Sequence, residues 1–137
     1  MKFLLDTNVV SELRKGERAD ANVVAWFGKS DAADLFLSVI VVGEIRRGIE
    51  LIRRRDLATA HALDRWMTRL LAGFEDRILP VDGRVAEEWG RMNVPNPLPA
   101  VDSLMAATAK VHGLVLVTRN VKDVAATGVR TLNPFVA

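Results

Sequence analysis

Four acidic residues stand where an α/β chain would gather carboxylates. Lys2 to Leu5 is a short apolar run that stops at Asp6. A carboxylate just past a first, central parallel strand occupies the edge where open α/β sheets bind ligands. Glu44 falls in the first turn or so of the helix after a second apolar run, 35–38. Asp102 opens the helix before a fourth strand, and Asp123 lies in the loop after it. Right-handed crossovers carry the ends of strands one, two and four to one sheet edge. Carboxylates converging there repel one another unless a cation neutralises them. Oxygen donors without cysteine or histidine select a hard ion, Mg²⁺ or Mn²⁺, which keeps waters for a phosphate to displace.

Each acid also has a structural role open to it. Asp6 could cap the helix that follows, and Glu44 could be a solvated helix residue paired with Arg47. Asp102 could simply complement its helix dipole, a gain of about 0.3–1 kcal/mol. Asp123 in a surface loop needs no further reason. Read one at a time, both sets of roles stand; together they favour a metal site modestly.

The elements that must position these side chains alternate. A strand at 2–5 leads to a short helix ending near Lys15 and Gly16, then a helix from Ala21 to Lys29 with Val23, Val24, Trp26 and Phe27 inward. Gly28, Lys29 and Ser30 resemble the end of a phosphate loop, but Val23 stands where that motif needs its first glycine. A strand at 35–38 feeds a helix from about Val41 to Arg54, with Ile45, Ile49 and Ile52 at helical spacing. A helix over 57–74 is capped by Asp56 and turns Leu63, Trp66, Met67, Leu70 and Leu71 inward; a strand follows at 77–81. Asp82 caps a helix to about Met92. The proline-rich 93–99 connects to a helix beginning at Pro99 and closed by Gly113. A strand at 114–118, a loop at 119–123 and a short strand at 129–132 finish the chain. Such alternation predicts a parallel α/β sheet covered on both faces.

Composition narrows the class. A chain of 137 residues is one domain, 1–137, with room for a hydrophobic core. No run is long and apolar enough to span a membrane, and no signal peptide is evident, so a cytoplasmic location with no membrane partner is expected. Cysteine is absent, which removes disulfides, thiolate metal sites and cysteine nucleophiles. The net charge of +2 and isoelectric point near 9.4 are mildly basic. Arg46, Arg47, Arg53, Arg54 and Arg55 crowd one segment, which suits either a phosphate backbone or a solvated helix face.

Leu5 to Asn8, Ser38 to Ile45, Asp102 at the head of an alanine-rich helix, and Val117 to Asp123 together resemble the PIN domain. Within that family they are most similar to the VapC-type toxins of the FitB-like group, and the similarity extends through Gly128 to Arg130 and Leu132 to Phe135. The resemblance implies a three-layer α/β/α fold with a mostly parallel sheet of about five strands. It further implies a Mg²⁺- or Mn²⁺-dependent endoribonuclease, the toxin of a type II toxin–antitoxin pair. By position, Asp6, Glu44 and Asp102 match the three core acids and Asp123 the more variable fourth; Asn8, Thr118 and Asn120 match the supporting polar residues. Val41 replaces a threonine common in relatives, and Asn120 an aspartate found in other branches, so one-ion and two-ion catalysis both stay open.

On that reading Asp6 and Asp102 hold the principal ion, Glu44 binds it or orients its water, and Asp123 serves a second. Arg46, Arg47 and Arg119 are candidates for RNA phosphates. The expected substrate is single-stranded or looped RNA, from tRNA, rRNA or mRNA. The expected partners are a VapB-type antitoxin, operator DNA only through that antitoxin, and a second copy in a homodimer. His61 and His112 sit on helices away from most of the acids, which argues against a histidine-driven 2′-hydroxyl mechanism. A phosphatase with an aspartyl nucleophile needs a second aspartate where Asn8 stands. The remaining alternative is a non-catalytic PIN-like module that binds RNA or protein.

Overall fold

Five parallel strands form the centre of the molecule, in the order β3-β2-β1-β4-β5, in a computed structural model that describes residues 1–137. The strands are β1 (Phe3–Leu5), β2 (Leu35–Ser38), β3 (Ile78–Leu79), β4 (Val115–Val117) and β5 (Thr131–Leu132). Seven helices connect and cover them: α1 (Thr7–Leu13), α2 (Ala21–Lys29), α3 (Val39–Arg53), α4 (Leu57–Phe74), α5 (Gly83–Met92), α6 (Ala100–His112) and α7 (Val121–Val124). The result is the three-layer α/β/α arrangement, with every strand pair parallel. Helix α3 packs on α4 and α5 on α6. No helix is long and apolar enough to cross a membrane.

The strands are short because only their centres are enclosed. Leu4, Leu5, Leu37, Leu116 and Val117 are essentially without solvent exposure, and helix residues Val9, Val41, Met105, Ala106 and Ala109 close over them. Small residues on α6 let it lie close to the sheet, which puts its first turn beside the end of β1.

Strand order locates the site. The chain passes from β1 outward to β2 and β3, then returns to the other side for β4 and β5. The order therefore reverses at β1, and ligands of open α/β sheets bind at the carboxyl end of such a switch point. Register confirms the adjacency: Leu5 lies opposite Val117, and the Asp6 N–H donates to the Val117 carbonyl at 2.9 Å.

Several boundaries differ from those the sequence predicts. Helix α3 begins at Val39 because the Ser38 hydroxyl caps it through the Ile40 N–H at 3.0 Å. Glu44 is consequently two residues, about half a turn, further into the helix than expected. Strand β3 keeps only two residues, since the Arg77 guanidinium bonds the carbonyls of Ala32, Leu35 and Gly73 and fixes the approach to it. Residues 121–123, part of the predicted loop at 119–123, form α7 together with Val124. On α2 only Val23 is buried, whereas Val24 and Phe27 are exposed by 46% and 41%, leaving an apolar surface the periodicity assigned to the core.

Candidate active site

Asp6 is the most constrained of the acids. It is 8% exposed and is both the N-cap of α1 and the floor of a cleft. One oxygen accepts from the Thr7 N–H at 2.7 Å. The other accepts from the Thr118 hydroxyl at 2.8 Å and faces the Asn8 amide at 3.4 Å. The capping and chemical readings of Asp6 are therefore not alternatives. Burial pushes its carboxyl above the usual range; the Thr118 and Thr7 donors oppose this, and repulsion from Glu44 adds to it.

Thr118 and Asn8 hold that geometry. The Thr118 hydroxyl is 1% exposed, donates to Asp6 and accepts the Asn120 N–H at 3.0 Å. Asn8 bridges Thr118, at 3.4 Å, to the Arg119 N–H, which its carbonyl oxygen accepts at 3.2 Å. The carboxyl ends of β1 and β4 are thus locked by side chains as well as by the backbone ladder.

Glu44 reaches the cleft from α3 and accepts a 2.5 Å hydrogen bond from the Thr7 hydroxyl. Thr7 was not among the residues expected at the site. The signal was available: a hydroxyl next to Asp6 on the first turn of α1 can face a neighbouring element. It compensates for Val41, which is wholly buried and offers Glu44 no donor.

Asp102 stands across the cleft in the first turn of α6. Its carboxyl is raised by burial first, then by repulsion from Asp6, Asp123 and Glu44 in turn. Asp102 is therefore the acid that all three others act on. Asp123 sits on α7, exposed and outside the cleft lining. The cleft, of about 280 Å³, is lined by Asp6, Glu44, Asp102, Thr7, Asn8 and Asn120 with Val101 at its lip.

None of the four acids forms an ion pair. As placed, no three of the acids close on a single point. The donor chemistry nevertheless fits a hard divalent ion: every ligand is oxygen, no base neutralises the group, and burial and repulsion penalise the charged carboxylates. Neither histidine lines the cleft.

The arginines divide into two groups. Arg46 is held by Asp64 at 2.8 Å and Glu50 at 3.2 Å, and Arg53 by the same two acids at 2.7 and 2.9 Å. For these two, the charged helix face is the better description. Arg47 and Arg119 make no ion pair, and the Arg119 backbone N–H is bonded to the cleft residue Asn8.

Comparison with known proteins agrees with this geometry. The PIN domain family model matches residues 3–126. Toxin FitB of Neisseria gonorrhoeae is 34% identical over 97% of this chain and 98% of its own length. The VapC ribonuclease Y4jK of Sinorhizobium fredii is 32% identical over 97% of each. Among solved structures, the crystal structure of FitAcB from Neisseria gonorrhoeae superposes with a TM-score of 0.91 at 33% identity, covering 98% of this chain and 99% of that one. DNA-bound VapBC from Salmonella typhimurium superposes at 0.73 with 25% identity, covering 98% of each chain. The chain belongs to the PIN-domain family, in its VapC-type, FitB-like branch.

Proposed function

We propose that this chain is a divalent-metal-dependent endoribonuclease and the toxin half of a toxin–antitoxin pair. The observation that carries the reading is the meeting of Asp6, Glu44 and Asp102 in one open cleft with no basic partner. A group of mutually repelling carboxylates, one buried and two half-buried, is costly to a fold and is kept where a cation and a phosphate are to be bound. Relatives bearing the names toxin FitB and VapC ribonuclease support the same reading.

Asp6 and Asp102 would hold Mg²⁺ or Mn²⁺, with Glu44 beside them and Asp123 at the periphery. When bound, the ion supplies Lewis acidity toward the scissile phosphate and a more acidic water. The chain's own contribution is positional. Thr118, Asn8 and the Thr7 N–H fix both oxygens of Asp6, and the Thr7 hydroxyl aims Glu44. Attack by water on phosphorus, with the P–O3′ bond breaking and the departing 3′-oxygen taking up a proton, would leave a 5′-phosphate and a 3′-hydroxyl, and the cleft has no histidine to serve a 2′-hydroxyl route. The open cleft suits single-stranded or looped RNA, whose bases are free of a duplex.

An apolar groove of about 330 Å³ beside the cleft supports the partner side of the proposal. It runs between α1, α2 and α4, past Val10, Leu13, Val24, Phe27 and Trp66. Arg14 and Trp66 also line a second depression that reaches Thr7 and Glu44. An amphipathic antitoxin segment in the first groove would lie next to the acids. The FitAcB and VapBC relatives were solved as complexes, the latter on DNA, and operator contact by this chain is assigned to its antitoxin. A homodimer and a cytoplasmic location complete the reading.

The test is cleavage of a mixed RNA pool by purified protein with Mg²⁺, with EDTA, and by Asp6→Asn. Cuts that need the metal and vanish in the variant support the proposal. Equal cutting by both proteins sinks it, and RNA binding without any metal-dependent cut identifies a non-catalytic module.

A further inference from the structure

Arg119 leaves the cleft rim in a fixed direction. Its backbone N–H is tied to the Asn8 side chain, and the next residue, Asn120, lines the cleft. Its guanidinium lies 4.0 Å from the centroid of the Phe135 ring. Phe135 is itself pinned: its carbonyl accepts from the Asn22 side chain at 2.9 Å, its N–H donates to the Asn133 side chain at 2.9 Å, and its ring packs on the apolar core. Glu12 is close enough to feel Arg119, but it already accepts from Lys15 and from the Asp20 N–H.

Stacking on an aromatic ring uses a face of the guanidinium and leaves the N–H donors on its edge. It also fixes the plane of a side chain that would otherwise sample many rotamers. We propose that Phe135 is a positioning residue for RNA binding: it holds the guanidinium of Arg119, the residue next to the cleft-lining Asn120, so that its edge receives a phosphate flanking the scissile one. The final segment of the chain thereby becomes part of the substrate site. This inference rests on the nuclease reading for what the flanking phosphate is, but its test does not need cleavage.

Binding of a short, labelled, random-sequence single-stranded RNA is measured across a salt series with Ca²⁺ replacing Mg²⁺, and cleavage of the same RNA is followed in Mg²⁺. Arg119→Ala is expected to weaken binding about five- to tenfold and to flatten the salt slope by about 0.7. Phe135→Leu keeps an apolar side chain and is expected to weaken binding about two- to fivefold. Phe135→Tyr, which keeps the ring face, restores it. In the Arg119→Ala background Phe135→Leu adds nothing. In cleavage the loss falls on KM, with kcat within about twofold.

Additive losses in the double variant, failure of tyrosine to restore binding, or a loss confined to kcat would overturn the role of Phe135. Wild-type cleavage with all variants binding like wild type overturns it and leaves the nuclease intact. Variant-sensitive binding without cleavage keeps the clamp and sinks the nuclease. A protein that neither binds nor cuts RNA sinks both.

Discussion

The Thr7 hydroxyl donates to Glu44 at 2.5 Å, joining the first turn of α1 to α3 across 37 positions of sequence. A hydrogen bond to a charged acceptor contributes about 1.5–3 kcal/mol. Thr7→Val keeps the shape and removes the donor, so Glu44 loses its orientation. RNA cleavage should fall about tenfold or more, and the melting temperature by about 3–10 °C, the loss of that bond at about 2–4 °C per kcal/mol. Thr7→Ser should retain most of the activity. Equal rates for valine and serine would show that Glu44 needs no such guide.

Asp102 is raised by burial and by three neighbouring acids. A carboxyl whose folded pKa lies above its unfolded value destabilises the fold when ionised. That cost is absent well below the usual aspartate value of 3.8 and complete once the pH exceeds the raised value. Metal-free Asp102→Asn is therefore expected to melt about 1–3 °C above wild type at neutral pH, with no gain at strongly acid pH. Mg²⁺ should reverse the order by stabilising only wild type. Thermal melts of both proteins with EDTA and with Mg²⁺ test this, and a variant less stable than wild type without metal would refute it.

Thr118 supplies the buried donor to Asp6. Thr118→Val leaves that carboxylate short of a partner at 8% exposure, which costs about 1–3 kcal/mol. Urea unfolding should show the loss at neutral pH and a smaller one in acid, where a protonated Asp6 needs no donor. An equal loss at both pH values would mean that the threonine acts through packing alone.

Asp64 is held at about 2, below its usual 3.8, by the Arg53 and then the Arg46 guanidinium. A depressed carboxyl contributes stability above 3.8 that disappears as the pH falls toward 2. Asp64→Asn should lower the melting temperature by about 1–2 °C near neutrality, with the difference shrinking through that window and in high salt. A difference that grows on acidification would contradict the ion-pair account.

Much of the site was legible because it depends on position along strands. A carboxylate at the end of β1 and a threonine at the end of β4 must meet if those strands are parallel neighbours, and Asp6 and Thr118 do. What could not be read was side-chain direction between elements. The Thr7–Glu44 contact depends on how α1 and α3 cross. The pairing of Arg46 and Arg53 with Asp64 depends on α4 lying against α3. Helical periodicity also misplaced Val24 and Phe27, because it reports that a stripe is apolar and not whether another element of the same chain covers it.

The bond between Asp6 and Thr118 spans 112 positions. Ribosomes deliver a chain amino end first, and its domains fold as their segments emerge. Asp6 is thus made well before Thr118, and it waits for β4 before its carboxylate is held in place. A growing polypeptide that has Asp6, Glu44 and even Asp102 still lacks the hydroxyl that sets the first of them. The order of synthesis therefore makes β4 the element whose arrival completes the support of Asp6, however early the other acids are in place.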